Sequence, residues 1–467
     1  MTDPVARVVT MNIKITKPIQ GGTVKAIASK SEAHRLLICA ALAGCESFIE
    51  CAETSEDIEA TVRCLSELGA AFEADQGGYY VNPIHKAALN NNTNEGKTYI
   101  LDCGESGATL RFLLPVCSAL GINVEFHMSG RLPSRPLTAL CEQMTIHGCR
   151  LSEQGISPLT CSGQLQSGTF TLPGNISSQY ISGLLLALPL LKDESYIKIT
   201  GAIESQPYVD MTLDAVRSFG ARIYEDEPDT FRIPGSQNTH PSKKMKVGGD
   251  WSNAAFWLSA GAIGNHSITC TGLDLNSKQG DKAICEILEQ FGANVGATAP
   301  VARSVINSEN SITVSPGKLH GIEIDAENTP DLVPILAAVA AVAKGQTIIR
   351  NAGRLRIKES DRLHTVSEML TSVGADVMQT EDGLIINGKK TLTGGNATLS
   401  GGVIHSHGDH RITMTAAILS SVCTNPVEII GADAVRKSYP GFFDDFKALG
   451  GEFEMKHIGM QRKMMLG

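Results

Sequence analysis

Apolar and polar positions alternate in two rhythms along this chain. Runs with apolar residues three to four apart, such as Ser31–Ala43 and Ser55–Leu68, predict helices. Short alternating stretches, such as Thr169–Leu172 and Ser311–Val314, predict strands. A recurring joint links the two. A helical run ends, a glycine follows, then a small or polar residue, then a strand-like stretch. The joint occurs at Leu68-Gly69-Ala70, His147-Gly148-Cys149, Phe219-Gly220-Ala221, Phe291-Gly292-Ala293, Val373-Gly374-Ala375 and Leu449-Gly450-Gly451. Glycine just past a helix takes the left-handed conformation without a Cβ clash. Spacings of 79, 72, 72, 82 and 76 residues between these glycines predict six α/β units, each holding two helices. Thr54 and Asp57 have capping-box spacing ahead of the second helix of the first unit. The polar stretch Glu225–Lys246, with Pro228, Pro234 and Pro241, separates the third unit from the fourth. A domain boundary is expected near Val247, with three units in each half.

Length agrees with two domains, because 467 residues exceed what one ordinary core holds. No run of about 18 apolar residues occurs, so no membrane span is expected. The richest stretch, Ile176 to Leu191, is broken by Ser177, Ser178, Gln179, Ser182 and Gly183. The N-terminus lacks the basic-then-apolar order of a signal peptide, and a cytoplasmic location is expected. Residues before Met11 are given no role. Twelve cysteines without a CxxC pair, nine of them before residue 165, are expected to be reduced and mostly buried. A net charge of -9 argues against a nucleic-acid binder. Any anionic ligand must then be held by a local basic cluster.

Several helix starts are polar: Lys30-Ser31, Gly104-Glu105-Ser106-Gly107 and Ser177-Ser178-Gln179. Helix N-termini favour anions, although serine there also serves as a plain cap. The run Ile357-Lys358-Glu359-Ser360-Asp361-Arg362 is expected to place Lys358 and Arg362 on one helix face, a pattern that a solvated helix surface also gives. Asp409-His410-Arg411 follows Gly401–Gly408 and leads into Ile412–Leu419. Arginine at a helix start opposes the dipole, which suggests an anion there. Arg436-Lys437 precede the turn-like Ser438–Gly441. Thr329-Pro330-Asp331 reads as an N-cap, a proline at the first helical position and an acid in the first turn. His405, His407 and His410 lack a regular zinc spacing, read as solvated loop histidines, and predict no metal site.

Nine motifs stand in one order: ASKSEAHR (28–35), CGESGATLRFL (103–113), GRLPSRPL (130–137), ISSQY (176–180), ESQPYVDMT (204–212), NTPDL (328–332), LRIKESDRL (355–363), GDHRI (408–412) and RKSYPGFF (436–443). In that order they resemble the EPSP synthases, an enolpyruvyl transferase family. The likeness spans about Met11 to Gly451. It implies a two-domain inside-out α/β barrel, each domain of three βαβαββ units. Residues 28–247 would form one domain and 11–27 plus 248–467 the other, with the active site in the cleft between them.

The resemblance also implies an activity: transfer of the enolpyruvyl group of phosphoenolpyruvate to the 5-hydroxyl of shikimate 3-phosphate by addition and elimination. It implies no cofactor, no metal, and a monomer whose partners are these two small molecules. Lys30, Gly107, Arg135, Gln179 and Lys437 would hold the phosphate side of phosphoenolpyruvate, and Arg362 and Arg411 its carboxylate. Ser177, Ser178, Ser205 and Lys358 would hold the 3-phosphate, with Gln179 also near the shikimate partner. Ser31, Arg35, Tyr208 and Asp331 would address its ring and carboxylate. Asp331 is the expected base, Glu359 the proton shuttle, and Lys30 an assisting acid. Two anions side by side repel by about 1 kcal/mol per charge pair in water, and more in a closed cleft. A cluster of cations in an acidic protein answers that need.

Some positions depart from the family pattern. Many members have Asn where Glu105 stands and Thr where Ala108 stands, and some have Asn where Arg354 stands. Gly107 leaves room for glyphosate, and with Ala108 beside it a moderate sensitivity is expected. The related UDP-N-acetylglucosamine enolpyruvyltransferases use a Cys on a loop that corresponds to Gly130–Pro136, where no Cys is present. An RNA 3′-phosphate cyclase would need a nucleotidylated His, with His410 the formal candidate, and a basic surface.

Overall fold

The structure is a computed structural model that describes residues 11–75, 77–85, 89, 97–241, 244–298, 310–388 and 399–457. The segment before Met11 lies outside them. The described strands form six four-stranded sheets of one pattern. In each, a parallel pair is extended by two antiparallel strands. Thr98–Gly104 runs parallel to Asn123–Met128, which pairs antiparallel with Leu159–Ser162 and through it with Arg150–Leu151. A helix follows each strand of the parallel pair, Gly107–Ala119 and Thr138–Ile146, giving a βαβαββ unit. The six predicted joint glycines, Gly69, Gly148, Gly220, Gly292, Gly374 and Gly450, all have positive φ, between 78° and 98°.

Three sheets borrow a strand from far along the chain. Met11–Lys17 lies between Val427–Ile430 and Glu452–His457, and Gly22–Lys25 pairs with Ile268–Thr271. Lys244–Lys246 pairs with Ser47–Glu50. Ala28 and Gly249 bridge at the two crossings. Two hydrophobic cores result. One gathers Ala33 to Val247, the other Ile13 to Ala26 with Trp251 to Leu449.

Helices sit inside and sheets outside. Every residue of Trp251–Ile263, Val333–Val342 and His410–Leu419 is buried. Val333–Val342 is apolar on all sides, as a helix must be when neighbours surround it, whereas the other two also bury Asn253, His410 and Arg411 in their first turns. Lys30–Leu42, Gly107–Ala119 and Ser178–Ala187 are the mainly buried counterparts in the other core. This is the inside-out α/β fold in two domains.

Local chemistry differs from expectation at three points. The second helix, Glu56–Glu67, is capped by Ser55, whose side chain accepts from the Ile58 N–H, rather than by Thr54. The run 357–362 is not one helical face. Gly353–Ile357 is a short 3₁₀ turn, Lys358 is extended, and Asp361 caps a new helix, Arg362–Ser372, by accepting from the His364 N–H. The short polar side chain of Asp361 competes for backbone donors and starts the helix there. Thr329 makes no side-chain cap bond, and the turn it opens, Pro330–Leu332, is 3₁₀ before the helix Val333–Val342 begins.

The joint glycines differ in surroundings, which gives a test. A Cβ at Gly69 meets nothing within 4 Å, whereas one at Gly292 stands 2.6 Å from the Lys318 carbonyl oxygen. Gly69→Ala should cost about 1 kcal/mol, from backbone conformation alone. Gly292→Ala adds a clash with backbone and should melt at a clearly lower temperature. Equal melting temperatures would contradict this reading of the joints.

Candidate active site

The buried helices aim their N-termini at one cleft between the two cores. Ser29, Ser106 and Ser177 cap three of them by accepting from the N–H of Glu32, Thr109 and Gln179. Asp250 and Asp409 cap two from the other core, accepting from Asn253 and Arg411. Free N–H groups and aligned dipoles make such an end attractive to anions. The cleft is lined mainly by charged and hydroxyl side chains from both cores. Every sequence-predicted site residue lines it except Lys437, which borders an adjoining pocket together with Glu105.

Asp331 is the electrostatic centre. Its Oδ1 lies 2.8 Å from Arg362 Nη1 and 3.8 Å from Lys358 Nζ, and its Oδ2 lies 2.9 Å from Arg411 Nη2. The Tyr208 hydroxyl reaches Oδ2 at 3.5 Å. Burial pushes the Asp331 carboxyl up, but Arg411, Lys358 and Arg362 outweigh it and hold the group well below the usual carboxylate range. Arg411 at its helix start thus meets a carboxylate of the protein.

Arg362, 1 % exposed, also donates through Nη2 to Glu359 Oε2 at 2.7 Å. Its Nε donates to Asp409 Oδ2 at 2.8 Å and its Nη2 to Asp409 Oδ1 at 3.2 Å. Across the cleft, Arg135 Nη1 stands 3.6 Å from Glu359 Oε1. Burial pushes the Glu359 carboxyl up, yet Arg362 and Arg135 bring it well below its ordinary value, so it is ionised in this arrangement. Lys30 Nζ donates to Asp57 Oδ2 at 2.8 Å. Burial lowers Lys358 to about 8, with Asp331 opposing and Arg362 reinforcing that shift. Asp281, fully buried behind Asp331, is raised to about 7 by burial and by the Asp331 charge.

The remaining residues are placed as follows. Arg35 is buried and spends its guanidinium on the Thr212 hydroxyl and the carbonyl oxygens of Ser31 and Tyr208. Gly107 leaves space that a side chain would deny, since a Cβ there would stand 2.5 Å from Arg111 Nη1 and 2.7 Å from Arg135 Nη1. Ser205 takes a left-handed conformation, φ 58°, and its hydroxyl accepts from Arg354 Nη2 at 2.8 Å. Ser31, Ser177, Ser178 and Gln179 stand on the helix starts described above.

Sequence reasoning missed Arg111, whose Nη1 donates to Gln179 Oε1 at 3.3 Å and whose Nη2 donates to the Pro136 carbonyl at 3.1 Å. It also missed Asp57 as the Lys30 partner, because that position looked like helix capping. His410 is not a solvated loop histidine. It begins the buried helix His410–Leu419, is 2 % exposed, and neither ring nitrogen has a hydrogen-bond partner among the described residues. Burial and the nearby Lys30 keep it neutral. No group of three or more potential metal ligands occurs among the described residues, and no described helix is long and apolar enough to cross a membrane.

Two buried cores with inward helices and a cation-lined cleft define a class of two-domain anion-handling enzymes. A solved structure of an EPSP synthase from Acinetobacter baumannii has this architecture, with a TM-score of 0.78 at 26% identity, over 96% of this chain and all of that one. The enolpyruvyl transferase NikO from Streptomyces tendae shares the fold, with a TM-score of 0.72 at 18% identity over 96% of this chain and 99% of that one. The family model for EPSP synthase (3-phosphoshikimate 1-carboxyvinyltransferase) matches residues 13–446. The 3-phosphoshikimate 1-carboxyvinyltransferase of Clostridium kluyveri is 43% identical over 439 residues, 94% of this chain and 97% of its own. That of Clostridium perfringens is 44% identical over 431 residues, 92% and 96% of the two chains. The chain belongs to the EPSP synthase family.

The role of Asp331 can be read in stability. Asp331→Ala leaves Arg362, Arg411 and Lys358 without their shared counter-ion, and breaking such a cluster typically costs about 3–5 kcal/mol. The variant should melt lower than the parent, and sulfate should raise its melting temperature more than the parent's. An equal response to sulfate would show that these cations do not depend on Asp331.

Proposed function

We propose that this protein transfers the enolpyruvyl group from phosphoenolpyruvate to the 5-hydroxyl of shikimate 3-phosphate, releasing phosphate. This is the step of the shikimate pathway that leads towards chorismate and the aromatic amino acids. Family membership supports it, and one observation carries it. Lys30, Arg135, Lys358, Arg362 and Arg411, drawn from positions 30 to 411 of the sequence, meet in one cleft.

The roles are those that the family resemblance implies. We read residues 28–247 as one domain and 11–27 with 248–467 as the other, closing on the substrates. Lys30, Gly107, Arg135, Gln179 and, from the adjoining pocket, Lys437 serve the phosphate of phosphoenolpyruvate. Arg362 and Arg411 serve its carboxylate. Ser177, Ser178, Ser205 and Lys358 serve the 3-phosphate, and Ser31, Arg35 and Tyr208 the rest of shikimate. In the addition, the 5-hydroxyl oxygen bonds to C2 while C3 gains a proton. In the elimination, the C2–O bond to phosphate breaks and the methyl group returns a proton.

Asp331 is the base nearest the hydroxyl and Glu359 the shuttle at C3. Both are ionised here because cations crowd them. Substrate anions that draw Arg411, Arg135 and Lys358 to themselves, and that share the outer nitrogens of a stationary Arg362, weaken that hold, so both carboxyl pKa values rise towards the range where a proton can be exchanged. Neither step calls for a cofactor. We read the enzyme as a cytoplasmic monomer, and the cluster above comes from one chain.

Purified protein with both substrates should release phosphate. Glu359→Gln and Lys30→Ala should each lower kcat by about 10²–10⁴. No release from the parent protein would refute the proposal. A pH limb should accompany it. Lys358 is charged below about 8 and neutral above it, so kcat/KM for shikimate 3-phosphate should fall as pH rises past that value. Lys358→Arg, which stays charged, should move the fall to higher pH.

A further inference from the structure

Lys437 reaches across the mouth of the cleft. Its Nζ donates to Glu105 Oε2 at 2.8 Å and to the Gly408 carbonyl at 2.7 Å. Glu105 precedes the helix Gly107–Ala119, and Lys437 ends the 3₁₀ turn Ala432–Lys437, so the pair joins segments packed on different cores. The pair is only partly exposed, 14 % for Lys437 and 32 % for Glu105.

Both sides of the pair are seated on glycine. Gly130, φ +54°, lies under the Glu105 carboxylate, and a Cβ there would stand 2.4 Å from Glu105 Cδ. Gly408, φ +69°, lies under Lys437, with a Cβ position 3.6 Å from Nζ. Backbone in that region favours glycine at both positions, and a side chain at Gly130 would crowd the Glu105 carboxylate. The Ser129 N–H also donates to the Gly104 carbonyl at 2.8 Å, which fixes the Gly130 loop beside Glu105.

We propose that Glu105 is a positioning residue that sets affinity for the enolpyruvyl donor. It holds Lys437 across the cleft mouth and yields it to the donor's phosphate, and this rests on the function proposed above. Two effects act in the same direction. The carboxylate competes with phosphate for one ammonium group, and its charge repels an incoming anion. Glu56, Asp57 and Glu59 line the same pocket and add to that repulsion, with Arg63 the other cation there. Removing the Glu105 charge therefore favours the donor and leaves shikimate 3-phosphate, whose proposed contacts do not include Lys437, unaffected.

The test compares the full-length parent with Glu105→Gln, which keeps the shape and loses the charge. Glu105→Ala serves as a second variant, because the new amide could still bond to Lys437. In phosphate-release kinetics, KM for phosphoenolpyruvate should fall by about three- to tenfold, with kcat within about twofold and KM for shikimate 3-phosphate unchanged. A second readout needs no turnover. Calorimetric titration with inorganic phosphate should show tighter binding to both variants than to the parent, by a margin that shrinks with added salt. A donor KM that stays the same or rises, or both KM values rising while kcat falls, overturns the proposal. A parent that binds phosphate more weakly than the variants yet releases none from the two substrates sinks the functional reading, and with it the donor, and leaves only the control of anion binding at Lys437 by Glu105. An active parent with donor KM and phosphate affinity equal to the variants' sinks the Glu105 role alone.

Discussion

The contact between Arg362 and Asp409 is the fixed point of this cleft. Both residues are buried, at 1 % and 0 % exposure, and two hydrogen bonds join them. Asp409 also accepts from the Ser360 hydroxyl at 2.9 Å and from the Arg411 N–H at 2.9 Å. One carboxylate thereby orients Arg362, starts the helix that carries His410 and Arg411, and ties down the segment that carries Lys358 and Glu359. A buried ion pair with its remaining hydrogen-bond capacity satisfied holds one geometry, even where it adds little net stability.

The other carboxylates are held differently. Glu359, Asp331 and Asp57 pair with cations that line the cavity, and their side chains keep 20 %, 18 % and 15 % exposure. They can give those cations up. On the proposed function, the cleft contains two classes of acid, a structural one that stays and others that give way to substrate oxygens. This arrangement keeps a dense cluster of positive charge compatible with a folded, net-acidic chain. On the same proposal, Asp331 and Glu359, whose cations can be drawn away, have pKa values that respond to what is bound.

Much of this was legible in the sequence because it rests on local rules. The joint glycines marked six units because a left-handed residue is needed wherever a helix turns back into a strand. Polar residues at Lys30, Ser106 and Ser177 marked helix starts for the same kind of reason. What stayed hidden depends on three-dimensional neighbours. Lys358 and Arg362 reach one carboxylate from separate elements, which spacing alone presented as one helix face. Asp57 looked like a helix cap until the Lys30 side chain was found on it. Arg111 sits within an apolar helical run, where nothing in the pattern distinguishes it. The burial of His410 follows from the helix it begins, whereas its glycine-rich approach suggested an open loop.

The distinction between fixed and exchangeable carboxylates is tested most directly by a crystal structure with shikimate 3-phosphate and an unreactive phosphonate analogue of phosphoenolpyruvate. The account predicts Arg362 still joined to Asp409 by both bonds, with Lys30 moved from Asp57, and Arg135 from Glu359, onto ligand oxygens. Ligands seated outside the cleft, or Arg362 withdrawn from Asp409 to reach them, would contradict it.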